Sequence, residues 1–200
     1  LIDTKGKRIL TDPGNFTIES QVKSENIDYI LYSHEHADHF HLESLLKIKE
    51  KNPKVEIYAN VSVADLLEKE NIPYTLVQHK DIFTLGEIIL EGIGEKHALI
   101  HSSIPLSDNT GFMINKRLFY PGDSLSNLDR EVEILALPVA GPWIKISEAI
   151  DYALMVKPKS AFPVHDAIRH QSTHGMVEKV LSTNGIQFYP MAEGEWQDFY

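Results

Sequence analysis

The apolar positions of the first eighty residues alternate between short continuous runs and helical spacing. Leu1-Ile2-Asp3 and Lys7-Arg8-Ile9-Leu10 flank Thr4-Lys5-Gly6, which predicts a hairpin, and the chain turns again at Asp12-Pro13-Gly14. Residue 1 begins inside a strand pattern, so a further strand is expected before it. Ile27 to Tyr32 is a short apolar run of the buried-strand kind, ending at Ser33 against a histidine cluster. Leu42, Leu45, Leu46 and Ile48 follow with helical spacing, closed by Asn52-Pro53. Val55 to Tyr58 predicts another strand, and Val61 to Glu70 a helix ended by Asn71-Ile72-Pro73.

From Asp81 to Met113 the period shortens to that of strands. Ile88-Ile89-Leu90, Ala98-Leu99-Ile100 and Phe112-Met113-Ile114 are expected strands, with turns at Gly92-Ile93-Gly94 and Asp108-Asn109. Leu118-Phe119-Tyr120 leads into Pro121-Gly122-Asp123. Val132 to Leu137 predicts a strand, Ser147 to Val156 a helix with Ser147 as its N-cap, and Ser160-Ala161-Phe162 a strand that ends near Pro163-Val164-His165. A helix over Gly175 to Leu181 and a strand near Gln187-Phe188-Tyr189 complete the order. Mixed strands followed by β/α units in each half imply two sheets with helices outside them. No internal repeat, linker or low-complexity segment interrupts the pattern, and one domain over 1–200 is expected for 200 residues that are 42% apolar.

Composition narrows the chemistry. The chain has no cysteine, so disulfides and thiolate-held zinc are excluded, and any metal must rely on imidazole and carboxylate ligands. The absence of cysteine agrees with a cytoplasmic address. No run approaches the roughly 18 to 20 uninterrupted apolar residues of a membrane span, so no membrane association is expected. A formal charge of −10 without a long Lys/Arg block argues against a nucleic-acid surface and favours a small-molecule substrate. Homo-oligomerisation is left open. The ten histidines gather mainly at 34 to 41, 97 to 101 and 165 to 174, a distribution that general surface usage does not produce.

The most specific signal is His34-x-His36-x-Asp38-His39, three imidazoles and a carboxylate within six residues directly after an expected strand. A helix-borne zincin site is excluded, because that pattern requires two histidines four apart with Glu after the first. His97 and His101 lie four apart on an expected strand and so face the same side. Asp123 in Pro121-Gly122-Asp123, Asp12 in Asp-Pro-Gly and His165 after Pro163-Val164 each read alone as turn or structural residues. Trp143, after Gly141-Pro142, is a candidate pocket wall or core anchor.

These residues together resemble the metallo-β-lactamase superfamily, in its branch of small metal-dependent hydrolases similar to ascorbate 6-phosphate lactonase. The resemblance runs through Asp12-Pro13-Gly14, His34 to His39, Gly94-x-x-His97, Tyr120 to Ser124, Leu137-Pro138-Val139 and Phe162 to His165. It implies an α/β fold, a four-layer αββα sandwich with metals at one sheet edge. It also implies that His34, His36 and His97 hold one divalent ion, that Asp38, His39 and His165 hold a second, and that Asp123 bridges them. Asp12 would support the metal loop through hydrogen bonds, and His101 would fall at the rim, with His97 preferred for the first ion. Zinc is the default for such donors, while manganese and iron accept the same set. The implied chemistry is attack by a metal-bridging hydroxide on an ester, lactone, amide or phosphoester, with Asp38 or a metal-bound water managing the proton. A nuclease or phosphodiesterase using the same metals, and a non-catalytic metal-dependent binding module, are the rival readings.

Overall fold

The computed structural model describes residues 1–167 and 174–200. In the first half, β1 (Ile2–Thr4) and β2 (Lys7–Thr11) form the expected hairpin, with Ile2 opposite Ile9. Lys5 and Gly6 both take positive φ, the mirror-image turn that suits a two-residue hairpin. The short helix α1 (Ile18–Gln21) follows, and then β3 (Tyr29–Tyr32), α2 (Leu42–Lys51), β4 (Glu56–Ala59), α3 (Val61–Lys69) and β5 (Thr75–Leu76). Strands β2 to β5 pair in parallel, as β/α alternation requires, giving a five-stranded sheet in the order β1-β2-β3-β4-β5.

The second sheet joins an antiparallel meander to a parallel part. β6 (Ile82–Leu85), β7 (Ile88–Ile93), β8 (Gly111–Ile114) and β9 (Leu118–Tyr120) pair antiparallel. β9 then runs parallel to β10 (Ile134–Pro138), β10 to β11 (Ser160–Val164), and β11 to β12 (Gln187–Phe188). Helices α4 (Ile146–Val156) and α5 (His174–Thr183) supply the crossovers. Three apolar clusters mark the three interfaces between four layers. Leu45, Ile48, Val63 and Leu67 of the helices pack on Ile30, Tyr32 and Ile57 of the first sheet. Residues of both sheets, including Leu31, Tyr58, Leu90, Phe112 and Ala136, meet in the middle. Leu135, Leu137 and Ala161 of the second sheet pack against Ala149, Ala153, Val177 and Leu181 of α4 and α5.

Side-chain alternation explains why the β3 and β10 runs are apolar throughout. Tyr29 and Leu31 face the second sheet while Ile30 and Tyr32 face the helices; in β10, Ala136 faces inward between Leu135 and Leu137, which face out. The structure is the four-layer αββα sandwich. Three local expectations are corrected. Ala98-Leu99-Ile100 is irregular loop, its neighbourhood showing only the bridge between Lys96 and Asp108. Gly92 and Ile93 belong to β7, pairing with Phe112 and Gly111, and the chain leaves the sheet only at Gly94. Lys145, not Ser147, is the N-cap of α4, where its backbone N–H donates to Glu148 at 2.7 Å.

Candidate metal centre

Four of the site's loops leave the sheets at neighbouring strand ends: 33–41 after β3, 94–110 after β7, 121–133 after β9 and 165–167 after β11. The His34 to His39 loop is seated by close backbone approach, since a side chain at Gly14 would fall 1.8 Å from the carbonyl oxygen of Asp38. Gly122 has the same role beneath Asp123, where an added Cβ would come within 2.4 Å of Asn109 Oδ1 and 2.7 Å of Ser33 Cβ, at a φ of +62°. Asp12 and His165 hold positive φ without being glycine, a backbone cost that the surrounding bonds must maintain.

Two triads carry the expected ligands, and a third, Asp12, His34 and His39, overlaps them. His34, His36 and His97 each present a ligand atom within 4.8 Å of the others, and so do Asp38, His39 and His165. Asp123 lies between the groups, with its Oδ2 3.3 Å from His97 Nε2 and 3.1 Å from His165 Nε2, and its Oδ1 3.2 Å from His39 Nε2. Yet His39 Nε2, His97 Nε2, His165 Nε2 and Asp123 Oδ1 are buried without any aligned hydrogen-bond partner. Buried polar atoms are seldom left in that state. Atoms that crowd to about 3 Å without aligning on one another converge on shared points instead, as the ligands of a cation do, so the donor set fits divalent metals.

The opposite edges of the imidazoles are fixed. His97 Nδ1 donates to Ala98 O at 2.5 Å and His165 Nδ1 to Ala140 O at 2.6 Å, which turns each Nε2 inward. His39 Nδ1 meets Asp12 Oδ2 at 2.8 Å. Asp12 also accepts from Ser33 N at 2.7 Å, Ser33 Oγ at 2.5 Å and Tyr120 Oη at 2.7 Å, so its carboxylate is saturated from below the loop. Ser33 Oγ is in turn 3.0 Å from His34 Nδ1, and Ser107 Oγ 3.3 Å from His36 Nε2. Asn109 accepts from Asp123 N at 3.0 Å and donates to Pro121 O at 2.9 Å, holding the acidic turn.

Without metal these groups perturb one another. Burial drives His34 far below the ordinary imidazole range and keeps its ring neutral. Burial works in the same direction on His39, but Asp12 and Asp123 push it up to about 10. His165, also lowered by burial alone, is pushed up to about 9 by Asp123 and Asp38. Burial tends to raise Asp123, and the imidazoles of His165 and His39 nevertheless hold it well below the usual carboxylate range.

Other sequence candidates fall elsewhere. His101 is exposed, and its Nδ1 lies 2.8 Å from Ser103 Oγ within its own loop. Because residues 98–100 are not a strand, the shared face expected for His97 and His101 does not exist. Trp143 is buried with its ring 5.6 Å from His97 and 6.0 Å from His165, packed behind the imidazoles and into the α4 core. Glu35 turns away to accept from Ser62 Oγ at the start of α3. His41 caps α2 beside Ser44, His79 accepts from Gly94 N, and buried His174 lies 3.1 Å from Asp166. His170 lies outside the described residues. The sequence did not single out Ser33, Ser107 or Asn109. Ser33 was signalled only by adjacency to His34, and Asn109 looked like an ordinary turn residue.

A family profile described as beta-lactamase superfamily domain matches residues 1–165. The chain belongs to the β-lactamase superfamily. Protein Rv0786c of Mycobacterium tuberculosis is 36% identical over 174 residues, covering 84% of this chain and 80% of that protein. A UPF0173 metal-dependent hydrolase of Nanoarchaeum equitans is 26% identical over 171 residues, covering 79% and 75% of the two chains. Among solved structures, Igni18, a metallo hydrolase from Ignicoccus hospitalis, superposes with a TM-score of 0.74 at 17% identity, over 96% of this chain and 91% of that one. That likeness is one of fold, and it agrees with the four layers described above.

Proposed function

We propose that this metal-dependent hydrolase of the metallo-β-lactamase superfamily works with two divalent ions, one on His34, His36 and His97, the other on Asp38, His39 and His165, with Asp123 shared. The observation that carries the reading is the position of the Asp123 carboxylate, 3.1 to 3.3 Å from three imidazole nitrogens of both triads and aligned with none of them. Zinc is the ion best suited to five imidazoles and two carboxylates, with manganese and iron as alternatives. When bound, such ions supply Lewis acidity at the scissile centre and lower the pKa of water toward neutrality.

The chain's own residues do the rest. His34 stays neutral because it is buried, His97 and His165 are held in one tautomer by backbone carbonyls, and Asp12 orients His39. Asp38 is the most solvent-open of the two site carboxylates, and His165 and His39 outweigh the effect of burial to keep it ionised. It is therefore the proposed proton acceptor during attack and donor to the leaving group. Ester, lactone, amide and phosphoester substrates all suit an electrophile next to two cations. The likeness to a lactonase branch remains an expectation of the sequence alone. No helix among the described residues is long and apolar enough to cross a membrane.

Elemental analysis after incubation with zinc or manganese is expected to find about two ions per chain. A panel of lactone, phosphodiester and amide substrates then assigns the class. Absence of any bound transition metal overturns the proposal. Tight, salt-sensitive binding of nucleic acid would move the substrate reading to a nuclease while leaving the metal site in place.

A further inference from the structure

Between His97 and Ser107 the chain makes a loop that turns Ala98 and Ile100 onto the core beside α4 and leaves its other aliphatic side chains outside. The neck is closed by His97 N donating to Ser107 O at 2.9 Å, one flank is tied by Ala98 N to Asp123 O at 2.8 Å, and the tip is turned by Ile104 N to His101 O at 2.9 Å. This pinned loop exposes Leu99 by 62%, Ile104 by 46% and Leu106 by 46%. Single exposed aliphatic residues are ordinary, but several on one short ordered loop mark a contact surface. The loop is also continuous with the metal centre: one small cavity is lined by His36 and His97 together with Ile100, Ile104, Leu106 and Ser107. Neither lysine nor arginine is among the residues lining it.

We propose that this loop is the apolar subsite of the hydrolase, so that its substrate carries an acyl chain or comparable hydrocarbon group beside the bond to be cleaved. The inference rests on the metallohydrolase reading for the position of the reacting centre. The cavity itself, about 10 Å³, has room for one water at most. The hydrocarbon therefore lies along the exposed sides of Ile104 and Leu106, extending away from His36 and His97. A compound whose second part is charged would gain nothing on this wall, whereas each methylene fully removed from water gains about 0.8 kcal/mol, roughly a fourfold change in affinity.

The test uses the metal-loaded full chain and straight-chain carboxylates as probes, their carboxylate directed to the metals. Octanoate is expected to bind at least about tenfold more tightly than acetate by calorimetry, the loop covering only part of the chain. Leu106→Ser and Ile104→Ser are expected to reduce that ratio severalfold with the metal content unchanged. Ile82→Ser, at an exposed apolar position on β6, should leave the ratio as it is. Equal binding of acetate and octanoate overturns the proposal, and so does a chain-length preference that survives both loop substitutions. p-Nitrophenyl acetate and octanoate give the second arm. If octanoate selectivity is present and sensitive to the loop, but no ester, lactone, amide or phosphoester is cleaved, the apolar subsite stands and the hydrolase reading falls.

Discussion

Asp12 shows how much of the centre depends on a residue that is proposed to hold neither metal ion. Its two oxygens receive Ser33 N, Ser33 Oγ, Tyr120 Oη and His39 Nδ1, all at 2.8 Å or less. Replacing it by alanine leaves these groups without an acceptor in a closed environment. Asp12→Ala is expected to lower unfolding stability by about 2 to 4 kcal/mol in urea titrations, and zinc affinity by about 10 to 100-fold, because His39 loses the partner that sets its orientation. His101→Ala removes only an exposed contact to Ser103 and is expected to leave both quantities unchanged. Normal zinc affinity in Asp12→Ala would show that His39 is held by its surroundings alone.

At the scale of the elements, the site is a product of tight turns at strand ends. The turn after β9 carries Asp123 into the centre only because Gly122 lacks a side chain, with Asn109 and Ser33 pressed against it. Gly86, between β6 and β7, has nearly the same φ, +63°, but nothing within 4 Å of an added Cβ. The pair separates conformational strain from crowding. Gly86→Ala should cost about 1 kcal/mol, the penalty for a left-handed residue. Gly122→Ala should cost about 2 to 4 kcal/mol and also reduce metal loading, since the turn must shift. Thermal melts and metal titration of both variants check this. Equal effects would mean that the contacts at Gly122 yield without consequence.

For the whole molecule, the centre links protonation, metal and stability. His39 and His165 in the metal-free protein are held above the free value of 6.5, at about 10 and about 9. A histidine raised on folding contributes stability that is fully present below pH 6.5 and lost as the pH climbs through its folded value. The metal-free protein is therefore expected to lose melting temperature steadily from about pH 7 to pH 10. Metal competes with the same protons, so zinc binding at pH 7 should release them, which calorimetry in buffers of different ionisation enthalpy measures directly. Zinc uptake without proton release would mean that these imidazoles are already neutral in the folded, metal-free state.

The sequence by itself determined the elements whose periodicity was strong and the residues whose chemistry was dense. The β3 and β10 runs, the α2 and α3 spacing, the opening hairpin and the six-residue histidine motif all stand in the structure where the pattern placed them, because hydrophobic period and turn chemistry are local properties. The two-residue strand β5 and the one-turn helix α1 carry too few residues to show a period. The loop at 98–106 misled for a related reason: Ala98-Leu99-Ile100 is apolar like a strand, but the adjoining backbone bonds go to Asp123 and Ser107, partners outside any sheet ladder. The family resemblance implied that Asp123 and His165 join the His34–His39 loop and that Asp12 supports it, but only the tertiary structure brought them there, across some 85 and 125 residues of chain, and only it showed Ser33 and Asn109 holding that arrangement from beneath. Convergence of distant strand ends is a consequence of sheet order and layer packing, which no local pattern encodes.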